Sequence, residues 1–386
     1  MVFRLAFINP ARVVRSVSVL ALAVSLAACG GDQGTDTTGG TDTTGGDTAQ
    51  TDMGGEGDKL ALAEPVDLTG AGASFPAPIY QRWFAEFNSE NPKLQIDYQS
   101  VGSGAGVEQF TQGTVDFGAS DVAMSDEEIE QVDRGVLLLP ITAGSIVLAY
   151  NLGGIEELKL PRDVYVDILL GNITNWNDPA IAAANEGVEL PDQSITVIHR
   201  SDGSGTTGVF TKHLSAISPE WEEQVGEGKT VEWPTGVGAK GNEGVTAQIK
   251  QTDGAIGYVE YGYAKQNDLN FAALENQVGN FVTPSDESAS KTLEAVTLPE
   301  NLRAFIADPE GEESYPIVTY TWLLAYEEYD DPQTAKALEA TIEYALTEGQ
   351  EIAPELGYVQ LPQNVREKVA EKADQISQEY DIEVSE

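Results

Sequence analysis

Ser194-Ile-Thr-Val-Ile-His199-Arg200-Ser201-Asp202-Gly203-Ser204-Gly205-Thr206-Thr207 changes character halfway along. Residues 194 to 199 are rich in β-branched side chains and read as a strand. Residues from about 205 to 216 follow a helical pattern, and the turn between is built of small and hydroxyl-bearing residues. The same plan occurs twice upstream, at Gly70-Ala71-Gly72-Ala73-Ser74-Phe75-Pro76 and at Val101-Gly102-Ser103-Gly104-Ala105-Gly106. Around these turns, residues 66 to 69 read as a strand. Residues 76 to 89 read as a helix, with Ile79, Trp83, Phe84 and Phe87 at helical spacing. A strand over 94 to 101, a helix over 104 to 112 and a strand over 114 to 119 follow. Further strands are expected at 145 to 151, 255 to 259 and 316 to 326. Helices at 332 to 348 and 363 to 378 are rich in Ala, Glu, Lys and Gln. Strand–helix alternation of this kind predicts an α/β protein with parallel sheets flanked by helices and right-handed crossovers. Its ligands should sit beyond the C-terminal ends of strands. The 386 residues suffice for two lobes.

The three turns favour an oxyanion. The first N–H groups of a helix lack partners, and the helix dipole adds partial positive charge there. Glycine lets a ligand approach the backbone, and a hydroxyl adds a donor to the same small volume. One such turn alone is as readily a simple helix cap. None of the three ends in the Gly-Lys-Ser/Thr of a nucleotide phosphate loop, and none gives Gly-x-Ser-x-Gly. Only two histidines occur, His199 and His213, and packing or surface roles account for both. A single cysteine and no metal-ligand spacing leave little for a metal site. No catalytic residue and no cofactor is therefore expected.

Charge excludes other classes. The chain carries a net charge of −42, which repels nucleic acid and predicts none as partner. Acidic residues are spread through the folded part. At about 1 M salt the Debye length is about 3 Å, so this repulsion would be screened, and a salt-loving source is expected.

Residues 1–28 hold Arg4, Arg12 and Arg15, no acidic residue, and an apolar run from Val17 to Ala28. This pattern is that of an export signal, and its removal would leave a net charge of −45. Cys29 follows, within Leu26-Ala27-Ala28-Cys29-Gly30, which resembles the lipobox of bacterial lipoproteins. That resemblance implies cleavage before Cys29 and acylation of its thiol. Several acyl chains would hold the protein to a membrane far better than one. Residues 29–58 are Cys29 and a Gly/Thr/Asp spacer with two Thr-Asp-Thr-Thr-Gly-Gly repeats, too polar to pack.

Six segments, two of them overlapping the turns above, make the chain recognisable. They are Thr69-Gly-Ala-Gly-Ala-Ser-Phe-Pro-Ala-Pro78, Val115-Asp-Phe-Gly-Ala-Ser-Asp121, Gly171-Asn-Ile-Thr-Asn-Trp-Asn-Asp178, Arg200 to Thr206, Gly238-Ala-Lys-Gly-Asn-Glu-Gly244 and Gly254-Ala-Ile-Gly-Tyr-Val-Glu-Tyr261. In this order they resemble the phosphate-binding proteins of the Pst-type ABC importer, two-lobed periplasmic binding proteins of class II. The resemblance covers most of the chain after residue 66. It implies an extracytoplasmic monomer that binds inorganic phosphate and delivers it to the importer's permease subunits. It implies a site made of Ser74 (where the family usually has threonine), Phe75, Ser103, Asp121, Arg200, Ser204, Gly205 and Thr206. Asp202 would orient Arg200. Gly104 and Ala105 depart from the family's usual residues at the second turn. Lobe one would comprise 59–142 plus 316–386 and lobe two 143–315, with hinges near Pro140 and Pro316.

Read from the residues alone, Asp121 either caps a turn after its strand or faces a ligand. The resemblance implies the second. A carboxylate beside an oxyanion is favourable only if the anion carries a proton to donate. Monohydrogen phosphate does and sulfate does not. Arsenate shares phosphate's shape and protonation and is expected to compete. The rival readings are a secreted phosphatase or esterase using Ser74 or Ser204, a carrier of another tetrahedral oxyanion, and an adhesive surface protein.

Overall fold

The computed structural model describes residues 60–384. The expected export signal, Cys29 and the spacer through residue 58 lie outside the described residues. Nine strands among those residues form one mixed sheet: β1 Val66–Gly72, β2 Leu94–Ser100, β3 Phe117–Ser120, β4 Leu137–Tyr150, β5 Thr196–Arg200, β6 Val237–Ala239, β7 Ala255–Glu260, β8 Asn270–Phe271 and β9 Val318–Ala325. Their spatial order is β2-β1-β3-β9-β4-β7-β5-β6, with β8 also pairing β4.

Pairs β1–β2, β1–β3, β5–β6 and β5–β7 are parallel, as strand–helix alternation predicts. The central pairs β3–β9, β9–β4 and β4–β7 are antiparallel. β4 carries the continuity of the sheet. Its first part, from Leu137 to Ser145, pairs β9, and Ile146 to Tyr150 pairs β7. All 14 of its residues are buried. Only the segment 145 to 151 is expected as a strand from sequence. The earlier half contains Pro140, which cannot donate to a ladder. The structure accommodates it with a register shift in which Thr321 faces Thr142 and Trp322 faces Pro140, leaving Ile141 as the extra residue of a bulge.

The principal helices are α1 Ala77–Glu90, α2 Ser103–Thr111, α3 Gly205–Ile217, α4 Gly241–Gln251, α5 Tyr261–Gln266, α6 Pro332–Leu346 and α7 Gln363–Ala373. The apolar spacing read in α1 faces inward: Ile79, Tyr80, Trp83, Phe84 and Phe87 are all buried. Tyr80, Phe84, Tyr98 and Phe117 form an aromatic cluster on the β1 half. On the β5 half, Phe210 and Trp233 stack on Tyr258, with Trp221 against Trp233. Each half thus has its own aromatic core. Helices α1, α2, α3 and α4 start where β1, β2, β5 and β6 end, and these starts converge on one place.

Candidate functional site

The first turn leaves β1 at Gly72 and enters α1 through Ser74 and Phe75. Tyrosine hydroxyls hold its carbonyls from behind. Tyr98 donates to the Ala73 carbonyl at 2.7 Å, Tyr263 to that of Ser74 at 2.7 Å and Tyr358 to that of Phe75 at 2.6 Å. With the carbonyls fixed, the peptide N–H groups of Ser74 and Phe75 point the opposite way, as a planar peptide requires. Ser74 is buried, and its Oγ accepts hydrogen bonds from the backbone N–H and the side-chain amide of Asn242, both at 2.9 Å.

The second turn places Ser103 at the start of α2, also buried. Its Oγ accepts from the Asp121 N–H at 3.3 Å. The departures at Gly104 and Ala105 do not break this turn: the Gly104 N–H donates to the Gly203 carbonyl at 2.8 Å. Gly102 precedes the helix at φ 95°, a conformation that suits glycine.

The third turn brings Arg200, Asp202, Ser204, Gly205 and Thr206 to the same point. Arg200 ends β5 and is buried. Its Nε and Nη2 meet the two Asp202 carboxylate oxygens at 2.8 and 2.6 Å, a bidentate pair. Burial would raise the Asp202 pKa, but the Arg200 hydrogen bonds and charge overcome it and hold the carboxyl below its usual range. The Gly241 N–H adds a further bond to Asp202 at 3.1 Å. Asp202 thus sets the guanidinium plane while Nη1 reaches Thr206 Oγ1 at 3.4 Å.

Ser204 is the N-cap of α3, its Oγ accepting the Thr207 N–H at 3.0 Å. Its own N–H is already committed to the Lys229 carbonyl at 2.8 Å. Ser204 can therefore offer a ligand only its hydroxyl hydrogen. Gly205 lies where the segments are closest: a Cβ there would meet Ser103 Oγ and would lie 2.7 Å from the Asp121 nitrogen.

Asp121 follows β3 at the centre of these groups and is 1 % exposed. Thr321 donates to its Oδ1 at 2.8 Å and Thr206 to its Oδ2 at 3.1 Å. Burial pushes its pKa up to about 6, opposed by the Thr321 hydrogen bond, the Arg200 charge and Thr206. The groups around it are hydroxyls, amides and a guanidinium. Asp121 is thus an acceptor among donors.

All eight residues expected to form the site, and Asp202, gather within this one region. Sequence reading missed Asn242, Thr321 and Glu260. Asn242 lies in the segment Gly238 to Gly244 and enters α4 from β6, a fourth strand-to-helix turn whose glycines were the available signal. Thr321 sits in the middle of β9, where nothing in the local pattern separates it from other strand residues. Glu260 is wholly buried and caps α5, accepting the Gly262 and Tyr263 N–H groups at 2.7 and 3.2 Å. Burial raises its pKa well above the usual carboxylate range.

Neither histidine serves the serines. His199 stacks on Trp233 and bonds the Arg200 carbonyl through Nδ1 at 3.0 Å. His213 is buried between the Tyr165 hydroxyl at 2.8 Å and the Ala307 carbonyl at 2.7 Å. Among the described residues, no group of three or more His, Cys, Asp or Glu could hold a metal ion.

Residues 34–348 match the PBP superfamily domain. The phosphate-binding protein PstS of Pasteurella multocida is 44 % identical over 309 residues, which span 78 % of this chain and 88 % of that protein. The chain belongs to the PstS family of phosphate-binding proteins. PstS of Haemophilus influenzae is likewise 44 % identical, over 79 % of this chain and 92 % of its own. PstS of Methanocaldococcus jannaschii is 40 % identical over 76 % of this chain and 82 % of its own. Among solved structures, the phosphate-binding protein of Stenotrophomonas maltophilia has a TM-score of 0.64 at 19 % identity, covering 79 % of this chain and 93 % of that one. The PfluDING protein, solved with bound phosphate, has a TM-score of 0.65 at 20 % identity and the same coverage. These likenesses establish the two-lobed periplasmic-binding-protein fold of the PstS family for this chain.

Proposed function

We propose that this protein binds inorganic phosphate outside the cytoplasmic membrane and passes it to the permease subunits of an ABC importer. The observation that carries the reading is Asp121, a fully buried carboxylate ringed by donors. Such an arrangement suits an oxyanion that itself bears a proton. The donors are the Ser74, Ser103 and Ser204 hydroxyls, the Arg200 guanidinium and the Phe75, Gly205 and Thr206 amides. They would take the bare oxygens, and Asp121 would take the ligand's hydrogen. Arsenate, equally protonated, would compete. Nothing in the donor set activates a serine as a nucleophile, so the protein is read as a carrier rather than an enzyme.

The lobes are proposed to divide as 59–142 plus 316–386 and 143–315, hinged along β4 and β9. On this division the Lys229–Glu128 and Arg303–Asp126 ion pairs, both at 2.7 Å, join one lobe to the other. Partly exposed pairs of this kind contribute little energy but favour the closed geometry. No helix among the described residues is long and apolar enough to cross a membrane. We place the export signal at residues 1–28 and the lipid anchor at Cys29, with the spacer letting a monomeric domain reach the permease.

Titration calorimetry with phosphate, arsenate and sulfate in about 1 M salt tests the reading. Phosphate and arsenate should bind one per chain and sulfate should not. Binding of all three alike would contradict it.

Gly205→Ala should hold the lobes apart and weaken phosphate binding by roughly tenfold to a hundredfold, since overpacking costs about 1–3 kcal/mol. Scattering should show a more open particle with phosphate present; wild-type affinity would mean that α3 does not press on Asp121. The pH dependence follows from Asp121. Below about 6 its carboxyl holds a proton and can donate to any oxyanion. Sulfate binding should therefore strengthen as pH falls through that value, narrowing the preference for phosphate. The same shift has a stability sign. The folded pKa lies above the ordinary 3.8, so this group favours folding of the empty protein most below that value. Its contribution is lost as pH rises through about 6.

A further inference from the structure

Asn242 is fully buried and links two of the expected site residues, Ser74 and Thr206. Its Oδ1 accepts the Glu260 N–H at 2.9 Å, which fixes the orientation of the amide. Its carbonyl accepts the Thr246 hydroxyl at 2.8 Å, anchoring the start of α4. The amide nitrogen must then turn its two hydrogens to the other side. One goes to Ser74 Oγ at 2.9 Å and the other to Thr206 Oγ1 at 3.2 Å. The Asn242 backbone N–H supplies a second hydrogen bond to Ser74 Oγ at 2.9 Å.

A hydroxyl oxygen has two lone pairs and one hydrogen. Ser74 Oγ has both lone pairs occupied by Asn242, so only its hydrogen is left to interact. Thr206 Oγ1 accepts from Asn242 and from Arg200 Nη1, and its one hydrogen goes to Asp121 Oδ2 at 3.1 Å. Without this arrangement the Ser74 hydroxyl could rotate and present a lone pair to an incoming anion.

We infer that Asn242 is a positioning and specificity residue: it saturates the acceptor side of Ser74 and so forces that hydroxyl to act as a donor toward the bound oxyanion, while it helps hold the Thr206 hydrogen on Asp121. The inference rests on the phosphate reading above. Ser74 and Asn242 lie 168 positions apart and, on the proposed division, in different lobes. Polarity of the first turn is therefore set only when the lobes meet. Asn242 itself need not touch the ligand.

The test is a double-mutant cycle on phosphate affinity by calorimetry, with thermal melting of each variant in parallel. In the wild-type background Ser74→Ala should weaken binding by about tenfold to a hundredfold, the loss expected for one hydrogen bond to a charged group. In an Asn242→Ala background the same Ser74→Ala change should cost about twofold or less, because the hydroxyl is no longer held as a donor. If Asn242→Ala does not fold, Asn242→Asp keeps the acceptor for the Glu260 N–H but draws the Ser74 hydrogen to itself. Ser74→Ala should again cost about twofold or less there, and the added charge is common to both members of that pair. An equal Ser74→Ala loss in every background, or no loss in the wild type, would overturn the role given to Asn242. A wild-type protein that took up no phosphate would instead defeat the phosphate reading.

Discussion

Asp121→Asn should bring sulfate and phosphate affinities together by about a hundredfold or more. A site that demands a ligand hydroxyl can reject its absence by about 10⁴-fold, because a buried acceptor is otherwise left unpaired beside a like charge. The carboxylate of Asp121 is such an acceptor. The Thr321 and Thr206 hydroxyls each give it one hydrogen bond, at 2.8 and 3.1 Å, and a remaining lone pair is available to a protonated oxyanion. Asparagine keeps the shape and one acceptor oxygen, so the Thr321 bond can persist. Its NH₂ then faces the ligand as a donor, which a sulfate oxygen accepts as readily as a phosphate oxygen. Phosphate should lose affinity and sulfate should gain it. Calorimetry of both anions on both proteins reads the ratio, and an unchanged ratio would remove Asp121 from the reading of the ligand's proton.

Arg200→Ala should weaken phosphate binding by about a hundredfold to a thousandfold. Two effects act together. The ligand loses the formal positive charge in its site, and Asp202 loses the partner that meets both of its oxygens. Breaking a buried pair from one side leaves an uncompensated charge, which is more costly than removing both members. Asp202→Ala added to Arg200→Ala should therefore recover part of the loss. Arg200→Lys should not restore wild-type affinity. An ammonium cannot meet Asp202 through two nitrogens in one plane and still extend a third toward Thr206. Calorimetry on the three variants checks the order; an Arg200→Ala protein with wild-type affinity would place the guanidinium outside the site.

Much of this site is legible in sequence because its physics is local. A strand followed by small residues, a hydroxyl and a helix announces itself in seven or eight positions, and three such turns occur. Ser74, Ser103 and Ser204 through Thr206 could be found from that pattern. The pairing of Arg200 with Asp202 comes from the family resemblance, and the two lie on one turn. The groups that give the turns their polarity are not local. Asn242 and Tyr263 reach Ser74 across 168 and 189 positions, and Tyr358 reaches Phe75 across 283. No spacing rule connects them; only packing does.

The fold shows the same division. The parallel pairs around β1 and β5 follow from alternation. The antiparallel seam of β9 and β4 does not, because Pro140 masks the first half of β4 and the bulge that absorbs it involves a partner strand some 180 residues away. The amide of Ser204 gives a sharper lesson. A residue at a helix start is expected to offer its N–H, yet the Lys229 carbonyl already holds it. That occupancy is invisible until the loop after α3 is placed.

The most direct measurement is a crystal structure of the protein grown with phosphate. A tetrahedral anion should lie between the lobes, with one oxygen at hydrogen-bonding distance from an Asp121 carboxylate oxygen. Its other oxygens should meet the Arg200 guanidinium, the Ser74 and Ser204 hydroxyls and the Gly205 and Thr206 amides. An anion bound elsewhere, or one in this cleft that leaves Asp121 bonded only to Thr321 and Thr206, would contradict the account.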